Sequence, residues 1–258
     1  MDYIESLKNI KTAYNKDMGA DKTVAAIAKK QSKTYTDASK FASTSGKHLG
    51  DALVDELVKL FPDGDVDEAD LMALIPGALR VNYSELARMI QMAQEEMNTA
   101  AGIGLKPIVS AFDVERATGI AKELAERGSI AGFTDKIIQQ TENFSRGTVD
   151  ESMRQNMEAQ TGAGLETRVT RVYDGVGLHD GKQPCAWCLS RAGEWSYQEA
   201  IQNGVFERHP GCECEITYTT SKRSMRQTDW RRNQWEEVNR PAKIEARKNF
   251  GLDGGGRA

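Results

Sequence analysis

All four cysteines of this 258-residue chain fall between Cys185 and Cys214. Cys185 and Cys188 form a C-x-x-C pair, and "HPGCEC" then supplies His209, Cys212 and Cys214. Two intervening residues let a tight turn aim both sulfurs of a C-x-x-C at one cation. A turn or helix start presents His209 and Cys212 to one ion, and on an extended strand Cys212 and Cys214 face the same side. Five soft or borderline donors thus surround an ion that needs four. Thiolates with imidazole, in a closed protein set, suit zinc. The spacing assigns Cys185, Cys188 and Cys214 to the metal, with one or both of His209 and Cys212. The flanking loops "GVGLHDGKQP" and "NGVFERHPG" hold little apolar matter. The expected zinc is therefore structural, since it contributes about 10–16 kcal/mol of apparent binding free energy in small modules. Trp187, Trp195, Tyr197 and Phe206 are expected to form the small apolar layer around it.

Other uses of the cysteines fit less well. The opening "MDYIESLKNIKTAYNKD" is charged every few positions, unlike a secretory signal, and no window approaches the roughly 20 apolar residues of a membrane helix. Synthesis in the cytoplasm follows as the expectation, and thiols stay reduced there, which weighs against disulfides. A redox C-x-x-C wants a βαβ context, whereas Pro184 and a Gly-rich loop precede this one. A nucleophilic cysteine wants a histidine and an acid outside the cluster, and only His48 and His179 remain.

The rest of the chain reads as helix. Hydrophobic residues make up 39% and charged residues 28%, with a mean hydropathy of -0.56 and a net charge of -4. That balance excludes a polycation whose default is bulk nucleic-acid binding. Before Thr170 there is neither Cys nor Trp, and Ala, Met, Glu, Gln and Lys dominate. "GDALVDELVKLF" carries an apolar face stopped by Pro62, and "DEADLMALI" makes a short helix ended at Pro76-Gly77. "NYSELARMIQMAQEEMNTA" starts a helix with Ser84 as N-cap, and "SAFDVERATGIAKELAERG" closes on Gly128. "TDKIIQQTENFSRG" and "TVDESMRQNMEAQTGAG" read as two helices, the second opened by a Thr148/Glu151 capping box. The fold class expected is mainly α: an elongated helical body over 1–164, which also packs on other subunits. A small α+β zinc-stapled module over 165–222 and a basic, Trp-containing tail over 223–258 follow, with the last residues disordered.

"DGDVDEADLMAL" resembles a calcium loop only in its first acids. Glu68 stands where the sharp turn needs Gly, and Leu74 where a bidentate Glu belongs. It reads as an acidic linker with helix N-terminal charge. No P-loop, G-x-S-x-G or H-E-x-x-H is present.

The segment from Arg171 to Tyr218 resembles the C-terminal signature of tailed-bacteriophage minor head proteins, the head morphogenesis family similar to the F protein of phage Mu. The likeness runs through Cys185 and Cys188, Ala192-Gly193, Trp195-Ser196-Tyr197, then His209, Cys212 and Cys214, and into Ile216-Thr217-Tyr218. It spans roughly residues 140–235. It implies a non-enzymatic structural protein of the virion, a minor capsid component inside the head or at the portal vertex, acting in assembly, DNA packaging or ejection. Portal protein, major capsid protein or both are the implied partners. The basic tail, from Lys222 to Lys248 with Trp230 and Trp235, is a candidate contact for packaged DNA. The alternative is a phage nuclease or DNA-processing enzyme built on the zinc module, for which His179 beside Asp180 is the candidate pair.

Overall fold

The order of elements follows from where short polar side chains cap helices. In the computed structural model, which describes residues 2–173, 185–209 and 211–221, seven helices precede the first strand. They are α1 (Tyr3–Ala20), α2 (Lys22–Lys29), α3 (Tyr35–Leu60), α4 (Glu68–Leu79), α5 (Tyr83–Ala100), α6 (Val114–Glu126) and α7 (Thr134–Gly162). Then come β1 (Glu166–Val172), α8 (Ala186–Leu189), β2 (Gly193–Ser196), α9 (Tyr197–Gln202) and β3 (Glu215–Ser221). Asp2, Asp21, Asp67 and Asp113 each accept backbone N–H groups at a helix start. Thr34 and Asp37 cap α3 reciprocally. Asp67 thus gives the acidic linker its helix-capping role.

Helix boundaries differ from those the sequence suggests at several places: α3 begins as early as Tyr35, ahead of "GDALVDELVKLF", and three further differences have a tertiary cause. α4 runs on through Pro76 to Leu79, because proline removes one intrahelical bond while Ile75, Ala78 and Leu79 are fully buried around it. α5 starts at Tyr83, and Asn82 caps nothing. Its amide instead donates to Ser45 Oγ and Ser145 Oγ across the helix interface, at 3.3 and 2.9 Å. The third difference is the largest. The two segments around Gly147 form one 29-residue helix, in which Thr148 donates to the Phe144 carbonyl as an interior residue. Gly147 is there because a Cβ would lie 2.1 Å from the Arg116 guanidinium.

α3 and α7 are the spine. A Cβ on Gly46 would sit 2.6 Å from the Glu142 Cα, and one on Gly50 would sit 2.7 Å from the Ile138 Cα. Ala38 and Ala42 continue that small-residue face, both fully buried. Backbones so close leave little room for large apolar groups, and much of the interface is satisfied by hydrogen bonds. Tyr35 and Tyr218 both donate to Gln94 Oε1, at 2.6 and 2.7 Å, and Gln94 and Gln160 both donate to Asn98 Oδ1.

The strands form an antiparallel sheet in the order β2-β1-β3. Val169 lies opposite Trp195 on one side and Tyr218 on the other. Thr167, Val169 and Arg171 alternate inward on β1. The protein is therefore mainly α, with a small three-stranded sheet towards its C-terminal end. One hydrophobic cluster runs from Ile10 in α1 to Ile216 and Tyr218 in β3. The chain up to Ser221 is one compact unit, so helices and sheet share a core. Among the described residues no helix is long and apolar enough to cross a membrane. The basic tail over 223–258 lies outside the described residues, as do His179 and Asp180.

Candidate metal centre

Local backbone geometry brings the five predicted ligands together. Cys185 sits at the N-cap of α8, and its sulfur accepts the Cys188 N–H at 3.3 Å, the turn a C-x-x-C pair makes when both sulfurs point one way. The Cys185 N–H in turn donates to the Tyr173 hydroxyl at 3.2 Å. On the other side, Gly211 takes a φ of 73°, a left-handed value that suits glycine. That turn lets the Cys212 N–H reach the His209 carbonyl at 3.1 Å. Cys212 and Cys214 are buried and Glu213 between them is exposed, as the alternation predicts.

The side chains meet in two triads that share Cys188. Cys185, Cys188 and His209 form one, and Cys188, Cys212 and Cys214 the other, with ligand atoms in each within 4.8 Å of one another. His209 Nε2 is 3.3 Å from Cys185 Sγ and 2.9 Å from Cys188 Sγ, and Cys188 Sγ is 3.9 Å from Cys212 Sγ. Zn–S bonds of about 2.3 Å in a tetrahedron set an S···S edge of about 3.8 Å. The four sulfurs are free thiols, each no more than 2% exposed. This is a site compatible with metal binding, closed off from solvent on its sulfur side.

What encloses it is mostly arginine. From α7, Arg146 is 5% exposed and donates to the carbonyls of Cys212, Glu213 and Cys214, at 2.7, 3.1 and 2.8 Å. One turn along, Asp150 pairs with Arg208, both side chains buried, and Arg208 Nη1 donates to the Cys214 carbonyl at 2.8 Å. Asn143 on the same face donates to the His209 carbonyl at 2.7 Å. Arg171, 1% exposed on β1, donates to the carbonyls of Val205 and Glu207 and to Cys212 Sγ. Trp187 lies edge-on to His209 with the Arg191 guanidinium 3.8 Å over its ring.

Charge follows this arrangement. The Cys214 hydrogen bond, aided by the guanidinium groups of Arg208 and Arg171, brings the Cys212 thiol down to about 4. Desolvation pushes Cys188 up to about 12, and the bond to Cys212 pushes Cys214 up as well. The guanidinium groups of Arg208 and Arg171 thus favour the charged form of the Cys212 sulfur.

Of the four aromatic residues expected around the ion, Trp187 packs on the cysteine cluster, together with Tyr173. Trp195, Tyr197 and Phe206 pack on the main core instead, because α9 lies against α7 and β2 pairs with β1, whose Val169 belongs to that core. The supporting residues Asn143, Arg146, Asp150, Arg171 and Arg208 escaped the sequence reading. Three of them recur along one face of α7, but a polar stripe on a helix reads as solvated surface until its partner is known. No protein-family model, curated protein or solved structure matches the chain.

Proposed function

We propose that this chain is a non-enzymatic structural protein of a tailed-phage head, a minor capsid component working at the portal or inner head, whose C-terminal module is stapled by one zinc ion. The observation that carries the structural role of the metal is enclosure. The four sulfurs are buried, and the loop carrying Cys212 and Cys214 is gripped through its carbonyls by Arg146 and Arg208. Structural zinc sites are closed in this way, whereas catalytic ones keep a position open for water or substrate. Support for the phage role comes from the C-x-x-C, aromatic, H-x-x-C-x-C and strand succession. Here that succession joins one sheet and one ligand cluster on a helical body.

In this role the helical body presents surface to portal or capsid subunits, and the basic tail contacts packaged DNA. Two measurements test the proposal. Mass spectrometry of the protein purified under reducing, chelator-free conditions is expected to find close to one zinc per chain, and none would defeat the staple. Proteomics of purified virions is expected to find the chain at low copy in DNA-filled heads, and its absence would defeat the capsid role. Plasmid cleavage with magnesium or manganese that disappears in His179→Ala would replace the structural role with a nuclease.

A further inference from the structure

The helical body encloses a cavity of about 620 Å³ between α1, α2, α3 and α5, within the size range of ligand pockets. Met18, Ile27, Phe41 and Met89 line its apolar part, each no more than 9% exposed. Residues so deep are out of reach of a docking helix about 10–12 Å thick, whereas a chain one methylene wide reaches them. Methionine side chains are flexible and adapt to such a chain. Gly19, in the last turn of α1, also lines the cavity, and a Cβ there would meet nothing within 4 Å. It takes no left-handed φ, and the C-cap of α1 is Asp21. Neither packing nor a turn calls for glycine here, and alanine would favour the helix. What the missing side chain provides is room.

Charge selects the end-group of that chain. Lys30, Lys33, Arg88 and Glu85 are the charged residues of the lining. Lys30 is paired with Asp37. Lys33 is 5% exposed, and its ammonium donates to the Ala28 and Lys30 carbonyls, with no carboxylate in ion-pair distance among the described residues. Arg88 is exposed and has no ion pair among them either. Glu85 accepts the Tyr14 hydroxyl at 2.6 Å. Lys33 and Arg88 against Glu85 leave a surplus of one positive charge. A buried ammonium held by neutral carbonyls alone is stabilised by an added anion. We infer that this cavity is a binding site for a straight-chain fatty acid, its alkyl chain against the methionines and its carboxylate towards Lys33 and Arg88. The lining contains no cysteine or histidine, so the site is independent of the zinc staple.

Isothermal titration calorimetry of the full-length protein with dodecanoate, below its micellar range, is expected to find one site per chain; absence of binding overturns the proposal. Affinity should rise about four-fold per methylene from octanoate through decanoate to dodecanoate. Dodecyltrimethylammonium, the same chain with a cationic head, should bind at least about ten-fold more weakly, and equal binding would overturn the carboxylate assignment. Gly19→Phe is expected to fill the cavity and abolish dodecanoate binding while the ligand-free protein keeps its thermal midpoint, since its Cβ meets nothing. Retained binding in that variant would overturn the location. Should it fail to fold, Arg88→Gln, at an exposed and unpaired position, is expected to weaken dodecanoate by about three- to ten-fold, and wild-type affinity would count against the site. Binding of an amphipathic leucine/glutamate helical peptide but not of dodecanoate would assign the cavity to a protein partner. Self-association in sedimentation that Gly19→Phe abolishes, again without dodecanoate binding, would assign it to a second copy. Either result overturns the proposal.

Discussion

The α3–α7 interface and the cysteine module are both poor in large apolar side chains, yet they solve that shortage differently. Between the helices, glycine and alanine let backbones approach, Asn82 bridges Ser45 and Ser145, and the buried Glu142 accepts from Ser43 and pairs with Lys47. Around the cysteines, buried arginines grip loop carbonyls, and the ligand cluster occupies the place of a core. A close-packed interface whose polar groups find their partners within the protein is held by shape and needs nothing added. The module buries few large apolar groups and is held by arginine–carbonyl contacts around the thiols, so under the proposed zinc staple its stability depends on the ion.

Removing the metal is the strongest way to test that difference. Chelation is expected to cost the module much of the roughly 10–16 kcal/mol that zinc supplies in small modules. Hydrogen exchange should then show protection lost over 185–221 and retained in α3 and α7. Uniform loss across the chain would erase the distinction between the regions. The next largest effect is expected from Asp150→Ala, which strands the buried Arg208 and should destabilise the fold by about 3–5 kcal/mol in chemical denaturation. Zinc affinity should fall with it, because Arg208 holds the Cys214 carbonyl.

Gly46→Val addresses the other region. Its added atoms meet the Glu142 backbone, and overpacking of this kind costs about 1–3 kcal/mol. Here the midpoint of thermal unfolding should drop while the zinc stoichiometry stays unchanged. A change in stoichiometry would mean that the spine positions the ligands as well. The smallest effect is expected from Thr34→Ala, which removes the α3 capping box at a cost of about 1 kcal/mol. Circular dichroism melts read that loss.

Much of the fold was legible because it rests on local rules. The acidic charge at the start of α4, Gly128 at its helix end and the strand through Ile216-Thr217-Tyr218 are near-neighbour effects. The α7 boundary was misread for the same reason. Gly147-Thr148 has the local chemistry of a break, and the Arg116 side chain that explains the glycine comes from another helix. Asn82 likewise has a cap's sequence position and a tertiary partner's job.

By itself the sequence determined that the protein is helix-rich and that five ligands meet. Both are properties of spacing along the chain, and spacing is what periodicity and ligand geometry act on. Only the tertiary structure decided what surrounds those ligands. Arg146 and Cys212 lie 66 residues apart, and Arg171 and Cys212 lie 41 apart. Whether an arginine is a solvated surface group or a buried counter-ion depends on which distant atoms exclude water from it, and that is settled when α7, β1 and the ligand loop pack together.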